Sequence, residues 1–278
     1  MASRGKSVKK VMEEYVDRNE TELDLQDRGI ENLLDVPFLS RMRNVTSLIL
    51  SHNRLVSLPP SLADLTNLEN LNLFNNELEN IPTTICNLPK LKFLNLALNH
   101  LKTLPKGFGA CPMLEVLDLT YNNLTESSLS ANFFYLEPLR ALYLGDNEFE
   151  VFPGDVKHLK NLQVLVLRDN DLIELPPEVG ELSRLKELHI QNNRLQVLPP
   201  EIVSLDLVSN KRVLKGENNP WISEIADQFA LGVYHVMTYL KTDDYMIRYK
   251  RFVAENKQPP PKKEREKSLK KKKDDKKK

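Results

Sequence analysis

Leu68-Glu-Asn-Leu71-Asn-Leu73-Phe-Asn-Asn76-Glu-Leu78-Glu-Asn-Ile81-Pro82 and Leu185-Lys-Glu-Leu188-His-Ile190-Gln-Asn-Asn193-Arg-Leu195-Gln-Val-Leu198-Pro199 are two copies of one pattern. It starts at Val45, Leu68, Leu91, Leu114, Leu139, Leu162 and Leu185, with five steps of 23 residues and one of 25. An apolar period of this length, with an asparagine at one register and a leucine-proline pair behind it, predicts a leucine-rich repeat solenoid. The expected architecture is α/β, with seven full repeats and a degenerate N-terminal copy forming a parallel concave sheet, closed by a helical C-terminal cap.

Each repeat supplies a strand and a return segment. In Leu48-Ile49-Leu50 the alternation turns Leu48 and Leu50 inward and Ile49 toward the concave wall. The register then carries Asn53, Asn76, Asn99, Asn122, Asn147, Asn170 and Asn193 into the coil. An unpaired buried amide costs about 1–3 kcal/mol, so these residues are expected to satisfy backbone groups freed where the chain leaves the strand. Pro59, Pro82, Pro105, Pro153, Pro176 and Pro199 open the convex return segments. The repeat at Leu114 departs from this rule. It lacks the leucine-proline pair and is two residues longer, so the excess should bulge on the convex side or rim.

Toward the N-terminus, Val8, Val11, Met12, Tyr15 and Val16 recur at helical spacing, and residues 1–19 read as a capping helix. Glu22–Leu33 is the degenerate copy, with Arg28 at the asparagine register. The solenoid is expected over residues 20–207. Ile222, Ile225, Phe229, Val233, Val236, Met237 and Leu240 then mark one helical face, so residues 208–256 read as the helical cap. Trp221 is expected to pack within that cap. Residues 257–278 hold one apolar side chain, Leu269, behind three prolines, and such a lysine-rich tail is expected to be disordered.

The formal net charge of zero conceals a segregation. Residues 257–278 carry twelve Lys/Arg against four Asp/Glu, leaving 27 against 35 for the rest, an acidic body of net −8. Cys86 and Cys111 read as two buried thiols acting as small apolar fillers. The N-terminus has no apolar stretch resembling a signal peptide, and no window approaches the ~18 apolar residues of a membrane helix. The acceptor patterns at Asn44 and Asn123 should therefore stay unused, and the expected compartment is cytoplasmic.

Nothing in the chain reads as catalytic machinery. Gly107-Phe-Gly109 lacks the Lys-Ser/Thr of a phosphate loop. The five histidines lie in different parts of the array; His52 and His100 are two repeats apart, about 10 Å. No cysteine or histidine pair has zinc-ligand spacing, and no cofactor is expected. What varies is the concave face. Phe74, Phe93, Tyr121 and Tyr143 stand in its middle, with Asn95 and Thr120 between them. Asp118, Asp146, Asp169 and Arg168 border them. His52, Asn75 and Asn192 add to the positions just before the asparagines. Aromatic and apolar groups on a rigid concave sheet, rimmed by charge, have the composition of a protein-binding hot spot, here suited to a basic patch with an apolar centre. The basic tail leaves open a nonspecific role, anionic lipid or nuclear import; direct nucleic-acid recognition is disfavoured by the acidic body.

Asp24-Leu-Gln-Asp-Arg28-Gly-Ile30, Leu48-Ile-Leu-Ser-His-Asn53, Glu115-Val-Leu-Asp-Leu-Thr-Tyr-Asn-Asn123-Leu, Asn132-Phe-Phe-Tyr135 and Glu217-Asn-Asn-Pro-Trp221 resemble the intracellular, Ras-associated class of leucine-rich repeat proteins, the Ras suppressor family in particular. The resemblance spans residues 8 to about 250. It implies a non-enzymatic adaptor at cell–matrix adhesions that binds the last LIM domain of PINCH, and through it integrin-linked kinase and parvin, and that influences Ras-to-MAP-kinase signalling. The zinc belongs to the LIM partner. On this reading Asp118, Tyr143, Asp146 and Arg168 are the centre of the site. A regulatory scaffold binding a Ras-type GTPase or a phosphatase directly remains the alternative.

Overall fold

The computed structural model describes residues 7–36, 39, 42–255 and 258–262. Nine three-residue strands stack in chain order into one parallel sheet: β1 Glu22–Asp24, β2 Ser47–Ile49, β3 Asn70–Asn72, β4 Phe93–Asn95, β5 Val116–Asp118, β6 Ala141–Tyr143, β7 Val164–Val166, β8 Glu187–His189 and β9 Val213–Lys215. The central leucines Leu48, Leu71, Leu94, Leu117, Leu142, Leu165 and Leu188 lie one above the next in register. They are sealed from solvent together with Leu50, Leu73, Leu96, Leu119, Leu144, Leu167 and Ile190.

The asparagines form the expected ladder. Asn76 Oδ1 accepts from Leu55 N of the preceding coil at 3.1 Å, while its Nδ2 donates to Leu50 O and Leu73 O at 3.0 Å. Asn99 and Asn122 repeat the pattern one and two coils on, as do Asn147, Asn170 and Asn193. Each amide thus ties two turns of backbone together inside an apolar coil, where those groups have no water to bond. The degenerate first copy has no such amide, and Asn53 serves it by accepting from Arg28 N and Ile30 N at 3.0 Å.

At the far end the array runs further than the repeat spacing foretells. β9 lies beyond residue 207, and Asn219 acts as one more rung, accepting from Leu195 N at 3.1 Å and donating to Ile190 O at 2.9 Å. The 26-residue step from Leu188 to Leu214 hides this strand from a 23-residue template.

The return segments are short 3-10 helices, among them Pro60–Asp64, Thr83–Asn87, Ala131–Tyr135, Gly154–His158, Pro177–Glu181 and Pro200–Ser204. Pro59, Pro82, Pro153, Pro176 and Pro199 each sit extended at their N-caps. Phe108, Phe133, Phe134, Phe149 and Phe152 fill the convex core of the middle repeats with ring centroids 5.3–6.3 Å apart. The chain approaches itself so closely there that a Cβ at Gly109 would lie 1.6 Å from Asn132 O. Cys86 and Cys111 are not separate thiols. Stacking brings their return segments together, with Cα atoms 4.4 Å apart, and the pair is joined as a disulfide. The excess length of the Leu114 repeat is taken up by a turn, Glu126–Ser128, beside the return segment. Thr125 caps this turn, and Ser128 Oγ is anchored to Lys102 O at 2.6 Å.

Both ends are closed by helices. α1, Val8–Arg18, is capped by Ser7 and buries Val11 and Met12, while Val16 points to solvent instead of joining that stripe. Its Tyr15 hydroxyl accepts from Asp24 N at 3.2 Å, occupying a backbone donor of the edge strand β1. At the other end stand α2 Ser223–Leu231, α3 Val233–Tyr239 and α4 Asp243–Ala254. Ile225, Val236, Met237 and Leu240 are buried as the helical spacing predicts, and Trp221 stacks on Phe229 with centroids 5.2 Å apart. α4 contributes Tyr245, which is fully buried with its hydroxyl accepting from Leu198 N at 3.1 Å. Within the segment expected to be disordered, residues 258–262 lie against the side of the array, where Pro260 O meets Arg194. Residues 257 and 263–278 of that expected tail lie outside the described residues.

Candidate protein-binding face

Strand register arranges the concave side chains in columns. The first holds Asn70, Phe93, Val116, Ala141, Val164 and Glu187. The third holds Asn72, Asn95, Asp118, Tyr143, Val166, His189 and, on β9, Lys215. A further column contains Phe74, Thr120, Gly145 and Arg168, two residues past the third. Phe93 is thus separated from Phe74 by the width of the sheet and is 45% exposed. Phe74 packs edge-on against His52, at 5.2 Å between centroids, and His52 Nδ1 accepts from Asn75 Nδ2 at 2.7 Å. The four aromatics therefore spread across the face.

The tightest grouping lies toward the C-terminal half. Arg168 Nη1 donates to Asp146 Oδ2 at 2.8 Å and to Asp169 Oδ2 at 2.6 Å. Burial opposes the charge on Arg168, but the bond to Asp169 and the charge of Asp146 outweigh it and hold the guanidinium above its usual range. Tyr121 stands beside this triad, its phenol pushed up by burial and by Asp146. Tyr143 is register neighbour to Asp118, and burial, Asp118 and Glu187 together push its phenol up. Half-buried phenols kept neutral beside carboxylates are hydrogen-bonding groups with apolar bodies, a composition favoured at binding surfaces.

Asn72, Asn95 and Asp118 also do local work. The Oδ1 of each accepts from the amide two residues on, at 3.0, 3.0 and 2.9 Å for Phe74, Ala97 and Thr120. This leaves Asp118 a second carboxylate oxygen for a partner. His189, between Glu187 and Lys215, has its pKa lowered by burial and by Lys215.

One column was a single residue short in the sequence. The residues just before the ladder asparagines are His52, Asn75, Leu98, Tyr121, Asp146, Asp169 and Asn192, all left-handed with φ of 54–58°. In that conformation each donates its amide to the carbonyl of the next coil, as Leu98 N does to Thr120 O at 2.9 Å. Asn, Asp and His tolerate this backbone; Leu98 and Tyr121 do not. Leu98 is missing from the positions singled out by sequence, although the register alone would have found it. Two strained residues with apolar bodies in adjacent coils of one column, the second of them beside the Arg168 triad, are a functional signal of the kind backbone strain gives.

Among the described residues no group of three His, Cys, Asp or Glu side chains is placed to hold a metal ion, and no helix is long and apolar enough to cross a membrane. The fold and its face define a leucine-rich repeat protein of the protein-interaction kind. Sequence signatures agree: a leucine-rich repeat region matches residues 108–233, a leucine-rich repeat matches 66–124 and a two-copy repeat matches 43–87. The chain belongs to the Ras suppressor protein family. It is 65% identical over 254 residues to Ras suppressor protein 1 of Homo sapiens, covering 91% of this chain and 92% of that one. The bovine and mouse proteins of the same name are 63% and 61% identical over the same length. In three dimensions it is similar to a leucine-rich repeat protein of Leptospira interrogans, with TM-score 0.61 and 31% identity over 66% of this chain and 46% of that one. The leucine-rich repeat ectodomain of a plant receptor kinase from Arabidopsis thaliana shares the fold alone, with TM-score 0.53 at 24% identity.

Proposed function

We propose that this chain is a non-enzymatic adaptor of cell–matrix adhesions whose concave face binds the C-terminal LIM domain of PINCH. Through PINCH it joins integrin-linked kinase and parvin, and so bears on adhesion, spreading and Ras-to-MAP-kinase signalling. The observation that carries this reading is the Arg168 triad with its half-buried neighbours Tyr121, Tyr143 and Asp118. It is a pre-organised mixture of ring surface and oriented charge on a rigid sheet. Family membership supports a Ras-related, protein-binding role. The zinc in such a complex belongs to the LIM domain. The chain works as a cytoplasmic monomer within a hetero-complex, enriched where adhesions assemble.

The name carried by its relatives favours one second reading, a scaffold that binds a Ras-type GTPase or a phosphatase directly. Calorimetry of the purified chain against the LIM domain, and separately against a GTPase in both nucleotide states, distinguishes the two. Saturable heat with the LIM domain and none with the GTPase supports the adaptor. The reverse result replaces it.

A further inference from the structure

Arg194 occupies the position after its ladder asparagine, which in other repeats holds Arg54, His100 or Glu148 on the outer flank. There it should face water, yet it is only 6% exposed. What covers it is the chain's own segment 258–262. Arg194 Nε donates to Pro260 O at 2.6 Å, and Nη2 donates to the same oxygen. Glu150, two coils back in the repeat series, lies 3.6 Å from Arg194 Nη1 and pairs with Lys262. That pairing, chiefly its hydrogen bond, holds the Glu150 carboxyl below and the Lys262 ammonium above their ordinary ranges. Pro259 and Pro260 face Ile173, Val197, Tyr249 and Phe252 across a cleft of about 230 Å³ between the flank and α4.

The chemistry is that of polyproline recognition. Three consecutive prolines hold the chain in an extended three-fold helix with its carbonyls unpaired. A donor that reads one carbonyl, an apolar and aromatic wall for the rings and a carboxylate for a following cation make up a complete reader of such a segment. A forked guanidinium on one carbonyl is a strong, charge-assisted contact.

We propose that the flank between Glu150 and Arg194, with α4, is a polyproline-binding site, and that its occupant is the chain's own Pro259–Lys262 segment bound in cis. The docked segment covers the Arg194 guanidinium on the outer flank. It also fastens α4 to the last coils.

Trypsin cleavage of the full-length chain after Lys262 tests this, because the protease needs several extended residues on both sides of the bond and so must wait for the segment to leave. Arg194→Gln, a neutral polar residue where the coil three steps back has Asn123, should speed this cut about tenfold without altering cleavage after Lys270. Lys262→Arg should keep the protection, and Glu150→Gln should speed the cut and weaken its salt dependence. Equal rates in the parent chain and in both Arg194→Gln and Glu150→Gln overturn the proposal. Protection that grows with protein concentration also overturns it, since the occupant would then be the segment of a second copy.

Discussion

Leu98 and Tyr121 show how single residues trade stability against display. A leucine held at φ 56° carries a backbone cost of about 1 kcal/mol or more that an asparagine there avoids. Leu98→Asn is therefore expected to raise unfolding free energy by about 0.5–1 kcal/mol in chemical denaturation and, on the adaptor reading, to weaken LIM binding. A variant that loses stability would show that the side chain's packing outweighs the strain. The ladder amides have the opposite character. Asn122 is fully buried and bonds Leu101 N, Leu96 O and Leu119 O. Asn122→Ala orphans Leu101 N, while Leu96 O keeps Asn99 and Leu119 O keeps Asn147, so a loss of about 1–3 kcal/mol is expected. His189 makes a pH prediction. Its folded pKa lies below the ordinary 6.5, because burial and Lys215 disfavour the charged ring while Glu187 only partly compensates. Between the two values the unfolded chain binds more protons, so this contribution is complete above pH 6.5 and is lost as pH falls toward the folded value. Denaturation at pH 7.5 and pH 5 should show a smaller drop for His189→Asn than for the parent chain.

Among the elements, the strands and their order were legible from leucine spacing alone, because one period dictates both strand and stacking. The ends were less so. β9 was invisible because its step departs from the repeat; α4 falls within the span read as a helical cap, but its key side chain, Tyr245, lies outside the leucine pattern. Tyr245 joins cap to array through the Leu198 backbone, with its hydroxyl both accepting from the amide and donating to the carbonyl. Tyr245→Phe removes both bonds while keeping the ring, and about 1–3 kcal/mol of stability should go with them. Hydrogen exchange should place the loosening in α4 and the Leu198 turn; uniform loosening across all repeats would contradict a local role. The disulfide escaped the sequence reading for a related reason. Cys86 and Cys111 are 25 residues apart, off the repeat period, and only stacked return segments bring them together.

At the scale of the whole molecule, an inert coil of leucine and asparagine carries its variation on its surfaces. The candidate face was legible as a list of positions, since register assigns every column. Its internal grouping was not. Which carboxylates share Arg168, which oxygen of Asp118 is already taken by Thr120 N, and that Phe93 stands apart from Phe74 depend on side-chain directions that columns do not encode. The central claim is that the Arg168 triad and Asp118 form the heart of a LIM-binding face. Isothermal calorimetry of the PINCH LIM domain against Asp118→Ala, Arg168→Ala and the double variant measures this directly. Losses of about 1–3 kcal/mol for each single change, close to additive in the double because the residues stand two strands apart without a shared contact, are predicted for hot-spot residues. Unchanged affinity in all three, with the variants folded, would contradict it and move the partner to another surface.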